Sequence, residues 1–229
     1  MTLEYTGVDE VIVSRIEGML ARDVAASESF IGTPYPSAFS IRIYPTREAL
    51  TRHWRSAWNQ PSLQTQCWMI ASGSRTAVSV LSPRIWTEEN CGHEGTSDAY
   101  VERVITHEMI HVLHAQINSA PDINAVQETK WLNEGVAVLA SGQLDAATRQ
   151  QVRQLAASGF KPASLAAAWT GSGGYGVSGS LALYLDTLWG REVLRAVLTK
   201  ASNADILAVL GVTESSLLEG WRAFAAVTS

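Results

Sequence analysis

The sequence predicts an α+β protein, with a small mixed sheet in an N-terminal lobe followed by a lobe that is mainly helical. Three observations carry this reading. Two-residue alternation of apolar and polar positions is confined to the stretch ending at Leu81. From Asp98 onward the apolar positions recur at helical spacing. Hydrophobic residues make up 46% of the 229-residue chain against 17% charged, enough for strands and helices to share a core.

Taken in order, Val8 to Ala26 carries Val11, Ile12, Ile16, Met19 and Leu20 on one helical stripe. Phe39 to Tyr44 alternates as a half-buried strand does, and Pro45 stops it. Thr46 is suited to cap a short helix reaching Trp58. Cys67 to Ala71 and Ala77 to Leu81 flank a Gly-Ser-Arg-Thr turn and read as a hairpin, ended by Ser82-Pro83. A polar loop, Thr87 to Ser97, follows. Helices are then predicted over Asp98 to Ile117, Thr129 to Ala140, Asp145 to Ala157, Gly179 to Leu188, Glu192 to Ala201 and Glu214 to Ala226. The uncharged stretch between Lys161 and Asp186 contains Gly171-Ser172-Gly173-Gly174-Tyr175-Gly176, which reads as a loop and not as part of a membrane span.

Composition narrows the function classes. With 17 Lys+Arg against 22 Asp+Glu, the net charge of −5 lacks the basic face that sequence-independent nucleic-acid binding requires. No nucleic-acid partner and no membrane span are expected, and the oligomeric state is left open. Two cysteines cannot build a disulfide scaffold; Cys67 and Cys91 can either pair or stay as buried thiols. Residues Met1 to Glu10 carry Glu4, Asp9 and Glu10 and lack the basic-then-apolar order of a signal peptide. Localisation therefore stays open, with an extracytoplasmic setting favoured if a leader has been removed. The eight tryptophans are spread along the chain and read as core or interface residues.

Three of the five histidines fall between positions 107 and 114. His107-Glu108-Met109-Ile110-His111 is an H-E-x-x-H inside a predicted helix. Positions i and i+4 share a helix face, so His107 and His111 can aim two imidazoles at one point, where zinc takes such nitrogens at about 2.0–2.1 Å. Glu108 is rotated beside that point and can reach a water held there without binding the metal itself. Val104, Ile105, Ile110, Val112 and Leu113 make the helix apolar on several sides, so its polar residues are buried and need partners.

A third ligand is required. His114 lies seven positions from His107, about 10 Å along the axis, and reads as a supporting or packing residue. The H-E-x-x-H-x-x-G-x-x-H pattern would need Gly and His where this chain has His114 and Ile117. The better placed group is Glu134, in Trp131-Leu132-Asn133-Glu134-Gly135, 23 positions after His111 on the next predicted helix.

H-E-M-I-H followed by W-L-N-E-G resembles the gluzincin zinc metallopeptidases, in particular the peptidase-MA-like branch. The Tyr-led helix from Tyr175 to Gly190 and the closing stretch with Trp221-Arg222 are similar too, whereas the first 60 residues fit less well. The resemblance implies a zincin-like fold and one zinc ion held by His107, His111 and Glu134, with Glu108 as general base. It also implies that Tyr175 steadies the oxyanion from a mobile glycine-rich loop; packing on that loop is the other reading of this residue. Tyr184 reads as core. The expected division is residues 1–118, carrying the H-E-x-x-H helix, and residues 119–229, carrying the third ligand, as one catalytic unit. A peptide or protein substrate would lie extended against the strand Ala77 to Leu81. Some relatives place an Asp one turn after the ligand Glu to orient a histidine, and this chain has Val138 there. The outer partner of the imidazoles then comes from elsewhere, with Asn133, Asp98 and His93 as candidates. The expected activity is zinc-dependent peptide hydrolysis, in the endopeptidase mode. The alternatives are a zincin scaffold that binds zinc and a partner with little turnover, and a metal-free helical protein in which the motif is accidental.

Overall fold

The computed structural model describes residues 1–89, 91–171 and 173–228. Asn90, in the expected polar loop, and Ser172, in the expected glycine-serine loop, lie outside the described residues. The chain is α+β, with one four-stranded sheet and eight α-helices among the described residues. Among the described residues no helix is long and apolar enough to cross a membrane.

Two compact units are present. One comprises Met1–Ser27 with Ser37–Val112; the other comprises Glu28–Pro36 with Leu113–Ser229. The first unit holds β1 (Thr2–Glu4), most of α1 (Glu10–Ile31), β2 (Ser40–Tyr44), α2 (Arg47–Ala57), β3 (Ala71–Gly73), β4 (Ala77–Leu81) and most of α3 (Asp98–Ile117). Strand order is β1-β2-β4-β3, with β1 and β4 parallel to β2 and β3 antiparallel to β4. Thr46 caps α2 by accepting from the Ala49 amide at 3.2 Å, as its position before the helix predicts.

The hairpin differs from expectation in a way that matters for the site. Its first strand is only Ala71–Gly73, and β4 is an interior strand with all five residues buried. The Ile70 carbonyl still accepts from the Leu81 amide at 2.7 Å, but residues 67–69 leave the ladder: Arg47, at the start of α2, binds the carbonyls of Cys67 and Met69 and grips the Glu89 carboxylate. Cys67 and Cys91 are joined in a disulfide. The substrate-pairing edge expected at Ala77–Leu81 is therefore not an edge, since β2 and β3 already occupy both of its sides. Sequence spacing alone cannot distinguish an interior strand from an exposed one when both neighbours are distant in the chain.

The second unit contains α4 (Lys130–Ala140), α5 (Ala146–Ala157), a 3-10 turn at Ala166–Trp169, α6 (Gly174–Leu198), α7 (Asn203–Leu210) and α8 (Glu214–Thr228). α6 is broken at Gly190, whose φ of 81° and ψ of 166° are not helical, so the two helices expected on either side of that residue are both present within it. α7 has no counterpart in the sequence reading, although its signals are local: Ser202 accepts from the Asp205 amide at the start, and Gly211 adopts a left-handed conformation at the end. Packing between α4 and α6 depends on small residues. A Cβ on Gly135 would collide with the Ser178 carbonyl, and one on Gly179 would lie 2.6 Å from Val138 Cγ1.

Candidate metal centre

α3 is a single helix of 20 residues, with Met109, Ile110, Val112 and Leu113 fully buried. Its apolar surface therefore reaches well beyond one stripe, and its polar groups sit where water cannot solvate them. His107, Glu108, His111 and His114 are all buried. The i, i+4 spacing brings His107 Nε2 and His111 Nε2 to 3.0 Å, with ring planes at 82°. Two nitrogens bound tetrahedrally at about 2.0–2.1 Å would be separated by roughly 3.3 Å, close to that distance.

β3 helps to set this geometry. Gly73 faces the turn of α3 that holds the site: a Cβ there would lie inside contact distance of the Glu108 carbonyl and 2.7 Å from His111 Cβ. Only a residue without a side chain allows the strand backbone to come this close, the usual meaning of glycine within a strand. By sequence Gly73 reads as part of a turn; it ends β3 instead, and a glycine at a strand end is the signal for such close approach.

α4 is buried from Trp131 through Val138, with Glu134 at 9% relative exposure. Among the described residues, one group of His, Cys, Asp or Glu side chains could hold a metal ion. It consists of His107, His111 and Glu134, all buried, with ligand atoms within 4.8 Å of one another. An uncompensated carboxylate is costly to bury, and two imidazoles plus a carboxylate form a donor set that a borderline divalent cation accepts. The metal itself is not identified by this arrangement.

His114 does not belong to that group. Its Nδ1 lies 3.0 Å from Asn133 Oδ1 and its Nε2 3.0 Å from the Leu198 carbonyl. It ties the end of α3 to the residue preceding Glu134 and to the end of α6. Since both contacts accept, His114 can donate at both only as the cation; as a neutral ring it donates one of them. Of the other suggested partners, Asp98 is bonded to Arg15, and His93 Nδ1 lies 2.9 Å from the Tyr100 hydroxyl.

Tyr175 is not on a loop. It occupies the first turn of α6, half-exposed, with its ring edge-on to Trp169 at a centroid distance of 4.5 Å. The helix begins earlier than the glycines suggest, and Gly174 at its start sits against the Trp169 carbonyl, where any Cβ would clash. Tyr184 is buried, as expected. Lys130, one turn before Glu134 on α4, places its ammonium 5.0 Å from the centre of the Trp169 ring. Sequence reasoning singled out neither Lys130 nor Trp169; the i−4 relation to Glu134 was the available signal for the lysine.

No family model, curated protein or solved structure matches the chain.

Proposed function

We propose that the chain is a zinc-dependent peptidase with a zincin-like fold and a gluzincin arrangement of ligands. The observation carrying this reading is the buried His107, His111 and Glu134 group, assembled from an H-E-x-x-H helix and a downstream glutamate. Zinc is the proposed metal, because two imidazoles from an H-E-x-x-H helix and a downstream glutamate form a donor set that catalytic zinc accepts. Bound there, it would supply Lewis acidity, polarising a scissile carbonyl and lowering the pKa of water.

The remaining work falls to the chain's own side chains. Glu108, next to His107 on α3, is the general base: it takes a proton from the attacking water and returns it to the leaving amine. Tyr175 is the proposed donor to the oxyanion, its phenol steered by the edge-on contact with Trp169. Substrate is held extended along β3, the edge strand beside β4, whose backbone at Gly73 adjoins the Glu108–His111 turn. The Cys67–Cys91 disulfide supports an extracytoplasmic setting, because such bonds persist where the medium is oxidising.

The test combines elemental analysis with cleavage of a diverse peptide library. After metal-free purification and zinc re-addition, about one equivalent of zinc is expected in the wild type and in Glu108→Gln, with cleavage only in the wild type. Loss of bound zinc would overturn the metal site, and equal cleavage by both proteins would overturn the assigned base. Full zinc with no cleavage by the wild type would instead favour a zinc-binding scaffold.

A further inference from the structure

The first residue of α4 carries a charge that the proposed chemistry does not use. Lys130 is half-buried, and among the described residues no carboxylate lies within ion-pair distance of it. The acidic residues nearest in sequence are already committed. Glu128 accepts from the Asn203 backbone amide at 3.0 Å, and Glu134 belongs to the ligand group. The ammonium instead rests 5.0 Å over the Trp169 ring, whose other neighbour is Tyr175. A face of an indole attracts a cation but leaves its remaining N–H donors unanswered. Lys130, Trp169 and Tyr175 thus make a wall in which the cation is positioned yet not neutralised.

Its place on the helix gives that wall a purpose. Lys130 and Glu134 are i and i+4, so they share a face of α4 with Cβ atoms about 5–6 Å apart. Adding the reach of the lysine stem, a group bound by the ammonium sits on the order of 6–10 Å from the ligand carboxylate. An extended chain covers that span in two to three residues, at roughly 3.3–3.6 Å each.

We propose that Lys130, held on Trp169, is a carboxylate anchor, so that the preferred substrates are peptides carrying a carboxylate within a few residues of the scissile bond. The carboxylate is either an Asp or Glu side chain or the chain's own C-terminus; both offer the same two oxygens to the ammonium. Trp169 and Tyr175 flank the anchor and accept the apolar part of the residue bearing it. This inference rests on the peptidase reading above.

The experiment uses the full zinc-loaded chain carrying Glu108→Gln, which binds without turnover, and measures Kd by calorimetry for matched peptides. One pair differs only in a free or amidated C-terminus, the other only in Glu or Gln beside the bond. A carboxylate is expected to tighten binding about tenfold in one of the two pairs, which identifies its source. Adding Lys130→Gln should abolish that difference, while Lys130→Arg should retain most of it. Equal affinity within both pairs, or a preference that survives Lys130→Gln, overturns the anchor. Should Lys130→Gln prove unstable, the parent's preference between matched peptides still decides. The two readings fail separately. A chain that discriminates through Lys130 but whose Glu108-bearing parent cleaves nothing refutes the peptidase and keeps the anchor; cleavage without discrimination refutes only the anchor.

Discussion

His114 shows how much the chemistry of a single side chain depends on its neighbours. It shares a helix and a residue type with His107 and His111, yet Asn133 and the Leu198 carbonyl hold both of its nitrogens. Those contacts make it a strut between α3, α4 and α6, and the spacing argument that set it apart from the ligands gains a concrete partner. At the same scale Gly73 controls the turn carrying Glu108 and His111. Gly73→Ala should destabilise the fold by about 1–3 kcal/mol through overpacking against backbone, and raise the Kd of the proposed zinc site at least tenfold. Gly18→Ala, where an added Cβ meets nothing within 4 Å, serves as the control and should do neither. Chemical denaturation of the metal-free proteins separates the stability effect from the binding effect.

Among the elements, the hairpin and α6 departed most from expectation. β4 is interior because β2 joins it in parallel through the α2 crossover, which leaves β3 as the edge strand on its other side. The start of α6 lies within the glycine-rich segment, where close approach to Trp169 outweighs the poor helix propensity of glycine. α4 reaches α6 through Gly135, whose Cα faces the Ser178 carbonyl. Gly135→Ala inserts a methyl against backbone that cannot rotate away, so a loss of about 2–3 kcal/mol is expected despite the gain in helix propensity. Because Glu134 is adjacent, the same substitution should weaken metal binding at the proposed zinc site. A urea titration with and without chelator measures both; unchanged midpoints would show that the two helices can shift apart freely.

For the molecule as a whole, the net charge of −5 says little, but one buried acid makes stability depend on pH. Asp23 on α1 is 4% exposed, beside Arg22, which bonds Glu102 of α3 at 2.6 Å. Burial, and then the negative charge of Glu102, push the Asp23 carboxyl up to about 7. Below about pH 4 it is neutral in both folded and unfolded chains and carries no penalty. Between there and about 7 the unfolded chain ionises first, so folding stability falls, and above 7 the penalty is complete. Asp23→Asn should therefore raise stability at pH 8 by on the order of 2 kcal/mol and leave it unchanged at pH 4. Denaturation midpoints across that range check the sign.

Much was legible in the sequence because it depends on short-range geometry. The α+β order of elements, the Thr46 cap, the extent of α3 and the convergence of His107 with His111 all follow from periods of two and 3.6 residues and from i, i+4 spacing. Glu134 was also within reach, since a lone acid inside Trp131–Val138 needs a reason to be buried. What the sequence did not contain was anything set by chain segments meeting from a distance. Which strand lies outermost, the pairing of Cys67 with Cys91, the contact of Gly73 with α3 and the seat of Lys130 on Trp169 were all decided by tertiary packing. The physical reason is that periodicity reports which face of an element is apolar, whereas the neighbour that covers that face is chosen by shape and close approach across the whole fold.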